Sequence, residues 1–199
     1  DYRLRLRLDS DDLLLDDELV AALPPESQRL VEEFGLRGRL RATIDISAPT
    51  RGELTTAAEL DVIEGRVRHR AFPYELELSE GHVKLEGADR VRWQGLSTAA
   101  EAKPYIVLAG SLVTDGTTRT LALDMDFRSL ELDDRLREAL PVDIERFVTN
   151  VGLDGTFRGR LETSLHFDEG EAGVRELRFS GMDVGVTGGR LDFGLRLRD

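Results

Sequence analysis

Asp124-Met125-Asp126 resembles the paired carboxylates with which some glycosyltransferases hold a metal ion. Its neighbours alternate as a strand does, so both carboxylates fall on one face, and a solvated surface is the stronger reading. His69, His82 and His166 are widely separated and none has a second histidine four residues away, so the spacing offers no zinc pair. Ser97 and Ser111 lack a Gly-x-Ser-x-Gly elbow, and no acyl-transfer triad suggests itself. Gly185 to Gly189 is not a phosphate loop, because no Lys-Ser/Thr follows and a strand comes next where a helix is needed. Cysteine is absent, which excludes thiolate metal sites, a disulfide scaffold and a cysteine nucleophile. The reading is of a non-enzymatic chain with no cofactor and no metal.

Charge narrows the partners. Against 27 Lys and Arg stand 39 Asp and Glu in 199 residues, a net charge of -12. Such a surface repels phosphate backbones, so no nucleic-acid partner is expected. No run reaches the 18 or so apolar residues of a spanning helix. The opening residues already alternate like a strand and carry no targeting pattern, so the chain reads as a piece of a longer protein.

What positions any functional side chain is therefore a sheet. Arg3, Arg5 and Arg7 interleave with Leu4, Leu6 and Leu8, as the polar face of an edge strand or a row that meets lipid headgroups. Period-two alternation recurs through most of the chain, and Trp93, the lone indole, reads as packing. Turns are expected at Glu80-Gly81, Asp115-Gly116, Glu169-Gly170 and Gly188-Gly189. The connections are too short for parallel crossovers, which predicts an antiparallel sheet.

Two segments break the alternation, and they match each other. Leu15-Asp16-Asp17-Glu18-Leu19 with Ala22-Leu23-Pro24 recurs as Leu132-Asp133-Asp134-Arg135-Leu136 with Ala139-Leu140-Pro141, an offset of 117 (132 − 15). The offset also aligns Leu4 with Leu121, Gly35-Leu36 with Gly152-Leu153, Glu59-Leu60 with Glu176-Leu177, and Leu76 and Leu78 with Phe193 and Leu195. This density of matches signals a duplicated unit. The first unit runs over about 4–120, and the second, truncated, over about 121–199. Residues 17–34 and 133–151 are expected to be helical, the first broken at Pro24-Pro25 with Gly35 as its C-terminal stop. Asp16-Asp17 and Asp133-Asp134 stand where carboxylates cap free N–H groups, a better reading than metal binding. A helix once per sheet segment is expected to carry the chain from one edge of a long curved sheet back to the other.

The Leu-Asp-Asp-x-Leu-x-x-Ala-Leu-Pro helix followed by Gly-Leu-x-Gly and a long alternating strand, at Leu13–Ile46 and again at Leu130–Leu165, resembles the AsmA-like family (AsmA, TamB and YhdP). That family lies within the repeating β-groove, or bridge-like lipid-transfer, superfamily. The resemblance implies a mainly β fold with short helices: a long twisted antiparallel sheet curled into a half-pipe, with a greasy concave face. It implies a periplasmic setting in a diderm bacterium, as part of an inner-membrane-anchored protein that reaches towards the outer membrane. It implies phospholipid acyl chains as the cargo and neighbouring repeats of the same parent chain as partners. A second function follows from the same resemblance, a periplasmic scaffold that offers an edge or groove to outer-membrane strands.

A groove of this kind needs a continuous apolar face, and the inward set is read as Leu4, Leu6, Leu8, Leu40, Ile44, Ile46, Leu60, Val62, Leu76, Leu78, Val83, Leu85, Ile106, Leu108, Leu121, Leu123, Met125, Phe157, Leu161, Leu165, Leu177, Phe179, Leu191, Phe193 and Leu195. Alternation alone equally describes a closed barrel or sandwich filled by its own side chains. The duplicated helix-plus-sheet unit favours the open trough.

Overall fold

The computed structural model describes residues 4–23, 25–50, 53–69, 72–87, 89–140, 142–151, 155–168 and 176–187. Strand β1 (Leu4–Leu15) leads into helices α1 (Asp17–Ala22) and α2 (Pro25–Glu33). Seven strands follow: β2 (Arg37–Thr50), β3 (Glu53–His69), β4 (Phe72–Leu78), β5 (Glu80–Glu86), β6 (Arg90–Ser97), β7 (Tyr105–Asp115) and β8 (Thr118–Glu131). Then come α3 (Asp134–Ala139), α4 (Val142–Val151), β9 (Thr156–Asp168) and β10 (Glu176–Thr187).

Among the described residues all ten strands belong to one sheet, in the order β1-β2-β3-β5-β6-β7-β8-β9-β10, with β4 also paired to β3. Every ladder is antiparallel, as the short connections require. The sheet is not closed: β1 and β10 lie at opposite ends of the order.

The helices form where the sequence places them, for legible reasons. Asp16 stands in extended backbone and its carboxylate accepts the Leu19 N–H at 2.9 Å; Asp133 does the same for Leu136 at 2.8 Å. The break between α1 and α2 is held by Gln28, whose side-chain amide donates to the Leu23 carbonyl at 2.8 Å. Gly35 ends α2 at φ 55, and the next residue, Leu36, donates back to the Val31 carbonyl at 2.9 Å. Gly152, the matching stop after α4, lies outside the described residues.

The helix pairs do not carry the chain across the sheet. α1 and α2 join β1 to β2, which are direct neighbours (Leu15 faces Gly38), and α3 and α4 join the neighbours β8 and β9. An antiparallel neighbour starts where its partner ended, so a helical hairpin suffices and no crossover is needed. The expected turn at Glu80-Gly81 is also absent. β4 and β5 run on past Ser79 along the same partner, β4 on the far half of β3 (Val67 faces Leu76) and β5 on its near half (Leu60 faces Val83). Gly81 sits in a register shift, where a Cβ would meet the Leu96 backbone at 2.6 Å. Here glycine marks a bulge and a close approach, a second meaning it carries inside strands. The turn at Asp115-Gly116 is present, with Gly116 at φ 59; those at Glu169-Gly170 and Gly188-Gly189 lie outside the described residues.

The order strand, helix, helix, strand occurs at both ends of the chain with matching detail. β1 has a register shift between Ser10 and Leu13, and β8 has one between Phe127 and Leu130, positions 117 apart (127 − 10). Beyond the next hairpin the spacing changes. Leu40 faces Val62 while its counterpart Phe157 faces Val186, so structurally equivalent residues there are 124 apart (186 − 62). Six of the seven extra residues fall in the β9–β10 connection and one in the register shift between Phe179 and Gly181, so Leu60 corresponds in space to Val184 and not to Leu177.

Apolar contacts join elements far apart in the strand order. Leu76 of β4 packs against the cluster formed by Ile106, Phe127 and Phe157 of β7, β8 and β9, and Tyr74 of β4 packs with Leu136 and Ala139 of α3. These contacts place β4 beside the ends of β7, β8 and β9.

Candidate apolar binding face

The ladders decide which side chains share a face, because directly opposed residues in an antiparallel pair point the same way. One row runs Leu8, Ile44, Ala58, Leu85, Val91, Leu112, Leu121, Leu165 and Leu177 without leaving that face. A second runs Ala42, Leu60, Val83, Trp93, Gly110, Leu123 and Thr163 to Phe179. A third passes through Leu40 and Val62, resumes at Leu96, and continues through Leu108, Met125 and Leu161. Leu4, Leu6 and Ile46 lie on the same side, as do Leu76 and Leu78 through their pairing with Val67 and Gly65, and Ile106 and Phe157 through Phe127 and Leu130. Leu191, Phe193 and Leu195 lie outside the described residues, and for Leu4, Leu177 and Phe179 only the backbone register is described.

The opposite face is charged and cross-linked. Arg39 reaches Asp12 at 2.6 Å, Arg160 reaches Asp124 at 2.6 Å, His82 meets Asp61 at 2.9 Å, and Lys84 meets Glu59 at 3.5 Å. Asp124 is thus one half of a cross-strand ion pair, and Asp126 is exposed beside it. The three histidines are engaged separately, His69 with Glu33, His82 with Asp61 and His166 with Thr120. Solvated pairs of this kind each contribute little to stability, but together they keep that face wet.

Burial is uneven along the apolar face. At one end Ile106 (4% exposed), Phe127 (6%), Phe157 (8%) and Leu78 (6%) are covered by the chain itself. Tyr74 lies there too, and desolvation holds its hydroxyl pKa above the ordinary value. At the other end Leu6 and Leu8 are 44% and 47% exposed. Most of the remaining face is half-buried, and among the described residues no large side chain is fully buried. A filled barrel or sandwich would enclose several such side chains.

Where the first strands meet β8, a charged cluster bridges them. Arg119 donates to Glu33 at 3.0 Å, His69 stands 3.7 Å from the other Glu33 oxygen, and the Phe34 ring lies 4.8 Å from the His69 ring. The nearby His69, followed by the charge and hydrogen bond of Arg119, holds the Glu33 carboxyl below its ordinary value against a desolvation that works the other way.

The inward set read from the sequence left out several members of this face. Leu112 and Val91 continue rows already read, and the small Ala42 and Ala58 lack the bulk that catches the eye. Trp93 belongs there too, its indole lying over Gly110, where a Cβ would come within 2.7 Å of the ring. Leu96 and Leu130 are placed by register shifts that reverse the odd–even rule, and Gly95 at φ 62 is the local signal for the first. Comparison with protein-family models, with curated proteins and with solved structures finds no match to this chain.

Proposed function

We propose that the chain is a non-enzymatic lipid-transfer module of the AsmA-like kind, curled as a half-pipe that shields phospholipid acyl chains between membranes. The observation that supports this reading is the single apolar face spanning the sheet, half-buried through its middle and open around Leu6 and Leu8. Each methylene taken from water onto such a wall contributes about 0.8 kcal/mol, so roughly 16 give on the order of 13 kcal/mol before association and ordering costs. The contact is non-directional, so a tail can slide along aliphatic walls without meeting a specific barrier. The covered end, around Ile106, Phe127 and Phe157, is core; the guest face is the stretch from Leu8 and Ile44 to Leu123 and Leu165. The setting that goes with this reading is the periplasm, with the chain as one segment of an inner-membrane-anchored parent and neighbouring repeats extending the trough.

Native mass spectrometry of the purified chain tests it. Co-purifying phospholipid supports transfer, and an apolar face free of lipid after extraction from a lipid-rich host rejects it. Among the described residues β1 and β10 end the strand order, which favours a second reading as a scaffold for outer-membrane strands; bound peptide in place of phospholipid would select it.

A further inference from the structure

We infer that Arg119 is the anion anchor of the apolar face, an assignment that rests on the lipid-transfer reading. It takes the phosphodiester of a phospholipid whose tails lie along the neighbouring leucines, and Glu33 holds that place until the lipid arrives.

The ladders put one arginine on the apolar side. Arg119 shares the face of Leu121 and Leu123, two and four residues further along β8, while every other Lys or Arg of the described strands falls on the charged face. Its setting differs accordingly: the side chain is 17% exposed, against 51%, 58% and 54% for Arg39, Arg41 and Arg160 on the charged face. A guanidinium sheltered at the margin of an aliphatic wall requires an anion, because burial without one is costly.

Here that anion is Glu33, which accepts from Arg119 at 3.0 Å while His69 borders its other oxygen at 3.7 Å. Glu33 sits in the last turn of α2 and belongs to no strand, so its release from Arg119 breaks no ladder bond. Folding lowers its pKa in spite of desolvation, the mark of a place that favours one negative charge. A phosphodiester carries the same single charge, and its two free oxygens suit the guanidinium fork as those of a carboxylate do. The exchange is one anion for another: Glu33 turns out to water, and the acyl tails cover the wall that begins at Leu121. A neutral lipid with the same tails covers the wall and leaves Glu33 in place.

The test compares dihexanoyl phosphatidylcholine with dihexanoylglycerol, which has the same tails and no phosphate, by titration calorimetry. Wild type is expected to prefer the phospholipid several-fold. Glu33→Gln is expected to raise that preference roughly tenfold, because the resident competitor has lost its charge, and Arg119→Gln to bind both ligands alike. A purely structural ion pair would weaken both ligands together and leave their ratio unmoved. Circular dichroism checks the fold of each variant, and Arg119→Lys, which keeps the charge and loses the fork, replaces Arg119→Gln if the latter does not fold and is expected to lower the preference. An unchanged ratio in folded Glu33→Gln and Arg119 variants overturns the inference and leaves the lipid-transfer reading standing, whereas binding of neither ligand removes both. Inorganic phosphate that binds wild type as tightly as the phospholipid assigns the anchor to free phosphate and overturns the lipid assignment.

Discussion

Glu33 and Arg119 are 86 residues apart and 3.0 Å from each other, joining the last turn of α2 to the start of β8. Both side chains are largely covered, at 26% and 17% exposure. The pair fastens the first strands to a strand five places along the sheet order, and a charge-assisted bond in partial shelter is worth more than its surface counterparts. Arg119→Met is expected to lower stability by about 1–3 kcal/mol, read as a reduced urea midpoint, because it leaves Glu33 short of a partner.

The same carboxylate sets a pH dependence. The Glu33 pKa is lowered on folding, chiefly by His69 and then by Arg119, so the folded state binds its proton less readily than the unfolded state does. Its contribution to stability is therefore complete above the ordinary glutamate range, about pH 4.3, and is lost as pH falls through the depressed folded value. Glu33→Gln is expected to be less stable near neutrality and to show a shallower loss of stability between about pH 5 and 3. Urea titrations at several pH values check both.

Asp16 and Asp133 cap equivalent helices with equivalent bonds. Asp16→Ala and Asp133→Ala are each expected to cost about 1 kcal/mol, with Asn in either position recovering most of it. Thermal denaturation followed by circular dichroism provides the comparison.

Trp93 and Gly110 form a matched pair across β6 and β7. Gly110→Val drives a Cβ against the Ala122 carbonyl of β8 as well as against the indole, and is expected to destabilise by about 3 kcal/mol or more. As the single tryptophan, Trp93 should report the displacement as a red-shifted emission before the protein unfolds.

Ile44 and Leu123 lie mid-face, in the stretch assigned to the guest. Ile44→Glu and Leu123→Glu are expected to abolish transfer of a fluorescent phospholipid between vesicles, while Ile44→Ala leaves it nearly unchanged, since aliphatic walls act collectively. Folded glutamate variants that still transfer lipid count against the proposed function.

The apolar face was legible because antiparallel pairing preserves period two: once Leu8 faces Ile44 and Ile44 faces Ala58, every even step stays on that side. The caps were legible because a carboxylate ahead of a helical stripe has one obvious use. The placement of Leu96 and Leu130 was not, since a bulge reverses the alternation and leaves only a glycine, or nothing, as its mark. Nor was the covered end. That Leu76 packs against the cluster of Ile106, Phe127 and Phe157 is a property of the assembled sheet that no single segment encodes. A constant offset past β2 misled because Leu177 and Val184 are both apolar and both inward: the longer hairpin together with the one-residue shift between Phe179 and Gly181 leaves the pattern intact.

Each helix pair returns the chain to the strand next door. Excising or inserting a whole strand–helix–helix–strand block therefore leaves the order of all other strands untouched, and no loop has to be re-threaded. Span becomes a trait that evolution can lengthen or shorten in whole increments, as one adds links to a chain.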